Sequence, residues 1–206
     1  MAQLEPLARL IRALSKLPGI GRRSAERIAM SLVTQPGTVS QDLVHALQEV
    51  ASSVCTCERC GQVTTADEDP CAICRNPARQ NGLLCVVSDP VSIGALESSG
   101  AFRGRYHAMM GKISPMHREG VQHLRVQSLL KRIREERVTE VLLALDSDTE
   151  SEATVSFLKD VLEATSVRVS RLAYGLPAGS GVSYSDPLTL SRAISGRQNM
   201  DASHGA

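Results

Sequence analysis

The chain has 206 residues, 42% hydrophobic and 22% charged, enough for one sizeable domain plus one or two small modules. No basic-then-apolar leader and no apolar run of bilayer length is present, which predicts a cytoplasmic protein whose cysteines stay reduced. A net charge of +1 conceals an arginine bias, since Lys16, Lys112, Lys131 and Lys159 are the only lysines among 23 basic residues; with no Trp, two Phe and three Tyr, strand binding by base stacking is disfavoured against a sequence-indifferent grip on the phosphate backbone.

Leu7, Leu10, Ile11, Leu14 and Leu17 recur at helical spacing and predict an amphipathic first helix that stops at Pro18-Gly19. Ser24 to Val33 reads as a second helix with Ala25, Ile28, Ala29 and Leu32 inward. Between them, Leu17-Pro18-Gly19-Ile20-Gly21 is a tight turn whose glycines let backbone amides approach a partner, directly before a helix N-terminus. Amides and the positive end of the helix dipole make a phosphate seat surrounded by Arg22, Arg23 and Arg27, and residues 1–33 as a whole carry Arg9, Arg12, Lys16, Arg22, Arg23 and Arg27 against only Glu5 and Glu26. The pattern is that of a helix-hairpin-helix, making Gly19, Gly21, Arg22, Arg23 and Arg27 the candidate DNA-binding residues; similar turns also join helices that bind nothing. After Pro36-Gly37-Thr38 a third helix is predicted, with Leu43, Val44, Leu47 and Val50 as its buried stripe.

Cys57-Glu58-Arg59-Cys60 and Cys71-Ala72-Ile73-Cys74 then face each other across the polar segment Gly61 to Pro70. Two CxxC turns converge four sulfurs on one tetrahedral zinc, and four thiolates leave no open position, so the ion is expected to be structural. Two disulfides or four unrelated thiols are the alternative. Cys55 is a spare thiol beside the site, and Cys85, within Leu83 to Val87, reads as a small buried hydrophobe.

From there the period changes. Strands are predicted at 83–87, 105–110, 138–145 and 167–173, alternating with helices at 91–97, 121–136 and 150–163, which implies a mostly parallel sheet covered on both faces. Arg125, Lys131, Arg132, Arg134 and Arg137 on the 121–136 helix are read as a solvated face in preference to a DNA patch. Where the third of these strands ends lie Asp146, Asp148, Glu150 and Glu152, at the sheet end where ligands bind. These carboxylates either hold magnesium or dock a partner, or else form an acidic cap on the following helix. The tip of the first strand offers Ser88-Asp89, with no carboxylate at Ser88, and Tyr106, Tyr174 and Tyr184 stand in no nucleophile motif. No P-loop or dinucleotide fingerprint occurs, and His107, His117 and His123 are scattered.

Leu17 to Gly21, the four-cysteine site ending Asp69-Pro70-Cys71-Ala72-Ile73-Cys74, and Leu84-Cys85-Val86-Val87 resemble the bacterial recombination mediator family RecR. So do Phe102-Arg103-Gly104-Arg105-Tyr106-His107, Ile113-Ser114-Pro115, Glu150-Ser151-Glu152-Ala153-Thr154, Gly175-Leu176-Pro177, Thr189-Leu190 and Arg192-Ala193. The resemblance implies a multidomain α and α/β chain: a helix-hairpin-helix over 1–53, a four-cysteine zinc finger over 54–76, a Toprim α/β domain over 80–174, a C-terminal segment over 175–197 and a disordered tail over 198–206. It also implies a ring-like homo-oligomer, a tetramer, that clamps gapped DNA, works with RecO and RecF and helps load recombinase. Family contacts to DNA map onto Arg23 and Arg27. Departures are Ser88 and Ser183 where the family carries glutamates, Ser151 where it carries glycine, and a zinc loop about two residues longer. Asp146 and Asp148 restore a DxD often degraded in the family. The expectation is a non-catalytic, nucleoid-associated clamp; the rivals are a magnesium-dependent Toprim enzyme and a zinc-bearing adaptor without DNA affinity.

Overall fold

The computed structural model describes residues 4–34, 37–114 and 121–197. The predicted tail over 198–206 and His117 lie outside them. The chain divides into two compact units, Met1–Cys55 and Thr56–Ala206.

The first unit is helical: α1 (Glu5–Leu14), α2 (Arg22–Thr34) and α3 (Thr38–Ser53). Ala8, Ala25 and Ala29 are its buried residues, small enough to let α1 and α2 approach closely, with Leu7, Leu10, Ile11, Leu14, Ile28 and Leu32 half-buried around them. The expected stripe on α3 is helical but not buried. Leu43, Val44, Leu47 and Val50 are 42–61% exposed, and α3 has no buried residue. One face of a lone helix can be covered only by another element, and within the first unit the described residues pack α3 only lightly on α2.

The short strand β1 (Val54–Thr56) spans the division between the units, and the second unit continues with β2 (Val63–Thr65) and the one-turn helix α4 (Ala72–Arg75). A four-stranded sheet in the order β4-β3-β5-β6 is parallel throughout, built from β3 (Leu83–Val87), β4 (Arg105–Ala108), β5 (Glu140–Leu143) and β6 (Arg168–Arg171). The crossovers are α5 (Pro90–Ser99), α6 (Val126–Glu135) and α7 (Thr149–Glu163), and α8 (Pro187–Ser195) ends the described chain. Side chains alternate along β3, so Leu84 and Val86 join Leu129, Ile133, Leu158 and Leu162 of α6 and α7, while Cys85 and Val87 join Ile93, Tyr106 and Ala108 on the α5 side. Covering both faces is what lets β3 be an unbroken apolar run. The first crossover runs to one side of β3 and the second to the other, so the sheet switches direction between the C-terminal ends of β3 and β5.

Strands and helix are shorter than their apolar runs suggest. β4 ends at Ala108 because Met110 has φ of 62°, and the segment 121–125 is a 3-10 turn and a bend rather than the start of α6. Among the described residues no helix is long and apolar enough to cross a membrane.

Candidate metal centre, hairpin and acidic corner

The four sulfurs of Cys57, Cys60, Cys71 and Cys74 lie within 4.8 Å of one another, and each residue is at most 4% exposed. Backbone builds the cluster. Cys57 N–H donates to Gln62 C=O at 2.7 Å and Gly61 N–H to Cys57 C=O at 2.8 Å, closing the first CxxC turn. Gln62 N–H points at Cys60 Sγ at 3.4 Å and Cys71 N–H at Cys57 Sγ at 3.3 Å, the donors a thiolate needs. Gly61 is required twice over: its φ is +82°, and a Cβ there would lie 2.5 Å from Arg125 Nη1. Hydrogen bonding to Cys71 pushes the Cys60 thiol far up, while the same contact pulls the Cys71 thiol down. Buried sulfurs this close cannot all ionise without a cation among them, and the arrangement can hold one metal ion. Cys55 is not one of the four, and Cys85 lies in the sheet core with its thiol pushed up to about 12 by burial.

Two arginines bolt the first CxxC turn to the sheet. Arg125 donates to the carbonyls of Glu58 and of Arg59, and Arg132 to Arg59 C=O at 3.3 Å and Tyr106 C=O at 2.5 Å. Ala108 N–H, at the end of β4, donates to Cys60 C=O at 2.7 Å. Arg132 also pairs with Glu136 at 2.8 Å, and Arg105 reaches the other Glu136 oxygen at 3.0 Å, all three residues being buried. Burial alone would raise the Glu136 carboxyl, but the hydrogen bonds from Arg132 and Arg105 prevail and hold it below its ordinary range. The expectation of a solvated basic face on this helix therefore fails for Arg125 and Arg132. Alternation of charge does not reveal which arginines have buried carbonyls within reach. His107 is packed beneath them, with Nε2 3.1 Å from Arg125 C=O, and burial drives its pKa down to about 3.

At the hairpin, Gly19 has φ of +76°, and at both Gly19 and Gly21 a Cβ would stand in open space. Arg22 is exposed and pairs with Glu26 at 3.1 Å. Arg23 and Arg27 are exposed, and among the described residues they form no ion pair. The first amides of α2 have no intrahelical acceptor.

The acidic residues divide. Asp146 and Asp148 both accept from Lys112 Nζ, at 2.6 and 2.7 Å, and Asp148 caps α7 by accepting from Ser151 N–H at 2.8 Å. The Lys112 ammonium beside it holds the Asp148 carboxyl down to about 2. Glu152 binds instead to the C-terminal side of the unit, 2.9 Å from Arg171, 3.6 Å from Arg192 and 2.9 Å from the Tyr174 hydroxyl. Both guanidiniums also stack on the Tyr174 ring, at 4.3 and 4.7 Å from its centroid. Glu150 is exposed. Across the switch, Asp89 caps α5 through Ser92 N–H at 3.1 Å and accepts from Ser88 at 3.3 Å. Of the other tyrosines, Tyr106 is buried against Glu97 at 2.6 Å and Tyr184 is 94% exposed. Lys112, Arg171, Arg192 and the arginine bolt were not legible as functional from spacing; a lone lysine after a strand carries no pattern.

A model of the RecR helix-hairpin-helix matches residues 7–51, one of the Toprim domain matches 82–173, and one of the RecR C-terminal region matches 175–198. The chain is 46% identical over 189 residues to the recombination protein RecR of Syntrophobacter fumaroxidans, covering 92% of this chain and 93% of that one. It is 40% identical to the RecR of Koribacter versatilis and 42% identical to that of Moorella thermoacetica, each over at least 95% of both chains. The chain belongs to the RecR family. Within that frame the matched segments coincide with α1–α3, with β3–β6 and with α8, and the four cysteines occupy the interval between the first two. The carboxylate corner is thus the corner of a Toprim sheet, and Arg171, Tyr174 and Arg192 are where the C-terminal RecR segment meets it.

Proposed function

We propose that this chain acts in recombinational DNA repair as a non-catalytic clamp on gapped DNA, working with RecO- and RecF-type partners to help load recombinase. The observation that carries the reading is the pair Arg23 and Arg27, exposed cations that form no ion pair among the described residues, beside the open glycine turn and the amide end of α2. Backbone amides and guanidiniums there meet phosphate and read no base, which suits a protein that must act at any sequence. Gly19, Gly21 and Arg22 complete that seat, with Arg22 shared between Glu26 and DNA.

Zinc is the metal we assign to Cys57, Cys60, Cys71 and Cys74, because four soft thiolates in a closed cluster suit that ion and leave no place for substrate. Its role is to fix the first CxxC turn against the sheet. The exposed apolar stripe of α3 supports assembly into a homo-oligomer, a ring of the tetrameric kind, since a row of Leu43, Val44, Leu47 and Val50 is costly to leave in water. Glu150 and the Glu152 cluster are assigned to partner docking.

The rival reading, a magnesium-dependent Toprim enzyme, is favoured by the place of Asp146 and Asp148 at the switch of the sheet. Incubation of zinc-loaded protein with gapped duplex in magnesium or EDTA separates the two. A mobility shift with covalently intact DNA in both conditions is expected; nicked or extended DNA formed only with magnesium would establish the enzyme.

A further inference from the structure

Toprim corners are associated with magnesium held by carboxylates, yet the residues of this corner do not fit that ion. Magnesium is octahedral and is held through one or two free carboxylates, with waters or phosphate oxygens filling the other positions. Here Asp146 Oδ2 and Asp148 Oδ2 converge on one point, and Lys112 Nζ stands at it, 2.6 and 2.7 Å away. Asp148 spends its other oxygen on Ser151 N–H, and across the switch Asp89 is committed to Ser92 and Ser88. Ser88, 2% exposed at the tip of β3, brings no carboxylate.

The lysine is placed by construction. Met109 N–H donates to Val87 C=O at 2.8 Å and Gly111 N–H to Ser88 C=O at 3.0 Å, pinning the segment before Lys112 to the tip of β3. On the other side Ile113 N–H donates to Thr154 Oγ1 at 2.8 Å, and that hydroxyl donates to Glu150 C=O, pinning the segment after it to α7. Met110 and Gly111 both have positive φ, at 62° and 155°, as a turn this abrupt requires. Lys112 therefore bridges the two sides of the switch, with its side chain only 21% exposed.

We propose that Lys112 is a tethered cation that replaces the metal of the Toprim corner, so that Asp146 and Asp148 are held in place and their mutual repulsion is offset without magnesium. A unit charge already seated between the carboxylates repels an incoming divalent ion and must be evicted before the ion can bind. The corner then keeps its shape at any magnesium concentration. The inference does not depend on DNA binding at the hairpin.

The test uses the full, zinc-loaded chain and magnesium or manganese alone, read by calorimetry and by electron paramagnetic resonance of free manganese. The wild type should show no saturable site at millimolar metal. Lys112→Met should open one, strengthening binding by about thirtyfold if the lost charge stood about 4 Å from a divalent ion under water-like screening. Lys112→Met with Asp148→Asn should lose it again. Should the methionine variant misfold, Lys112→Gln serves in its place, with folding checked by zinc content and circular dichroism. In the wild type, the Lys112 ammonium resonance should be unmoved by magnesium. Stoichiometric binding by the wild type at Asp146 and Asp148, or no gain in a folded Lys112 variant, overturns the proposal. Magnesium-dependent DNA cleavage is a separate outcome that would overturn the non-catalytic reading.

Discussion

Arg132→Met should be a costly single change in the second unit. It removes the 2.8 Å pair to Glu136 and the bonds to the Tyr106 and Arg59 carbonyls, and leaves Glu136, 8% exposed, with Arg105 as its one buried partner. Stripping one partner from a buried ion pair costs about 3–5 kcal/mol, and the surviving Arg105 contact puts this case near the lower end. For a unit of this size about 3 kcal/mol lowers the melting temperature by roughly 6–12 °C. Differential scanning calorimetry of zinc-loaded protein measures it, in a cycle with Glu136→Gln. Because the loss is an orphaned charge, the double variant should be less destabilised than the sum of the singles. The pH dependence has a definite sign. Glu136 is held below its ordinary range when folded, so its stabilisation is complete above the unfolded value of about 4.3 and is lost as pH falls through the folded value. Wild type and Arg132→Met should therefore converge in stability in acid. A loss below about 1 kcal/mol at neutral pH, or strict additivity with Glu136→Gln, would refute the argument from buried charge.

Arg23→Ala with Arg27→Ala should weaken DNA binding equally on unrelated sequences and reduce the log–log salt slope by about 1.8, measured by fluorescence anisotropy across salt concentrations; an unchanged slope removes these two residues from the interface. Cys71→Ser should lower metal content to near zero and melt the first CxxC turn, so thermal stability and oligomer integrity fall together; a fully assembled, metal-free variant would contradict the structural role assigned to the ion. Leu47→Glu, at a position 61% exposed, should leave the monomer's fold intact but shift sedimentation toward smaller species, and no shift would exclude the α3 face as an interface.

The parallel sheet was legible because Leu83 to Val87 is an apolar run with no alternation, which only a strand covered on both faces tolerates. The four cysteines were legible because doubled CxxC spacing has few other uses. On α3 the period was right and the burial wrong: helical spacing marks an apolar face but not what lies against it. Arg125 and Arg132 misled for the opposite reason, since charge in a sequence reads as solvent exposure while a guanidinium can instead satisfy buried carbonyls. Lys112 was invisible because its meaning lies in Asp146 and Asp148, more than thirty residues away, and in a turn that only the folded backbone defines.

β4 is the outermost strand of its sheet on one side, and the groups it turns away from β3 are those taken up by the metal-binding turn and its arginines: Ala108 N–H by Cys60, Ala108 C=O by Arg125, Tyr106 C=O by Arg132. An uncovered strand margin is a template for pairing with another chain. The cysteine knuckle, whose four thiols can hold a metal ion, thus serves as a lid over that margin in place of a longer strand or a proline. Chelation would do more than loosen a loop, because it would expose a row of unpaired backbone groups to neighbouring chains. If zinc fills the cluster, its removal should therefore combine the loss of stability with non-native pairing through β4, read as aggregation of the chelated protein.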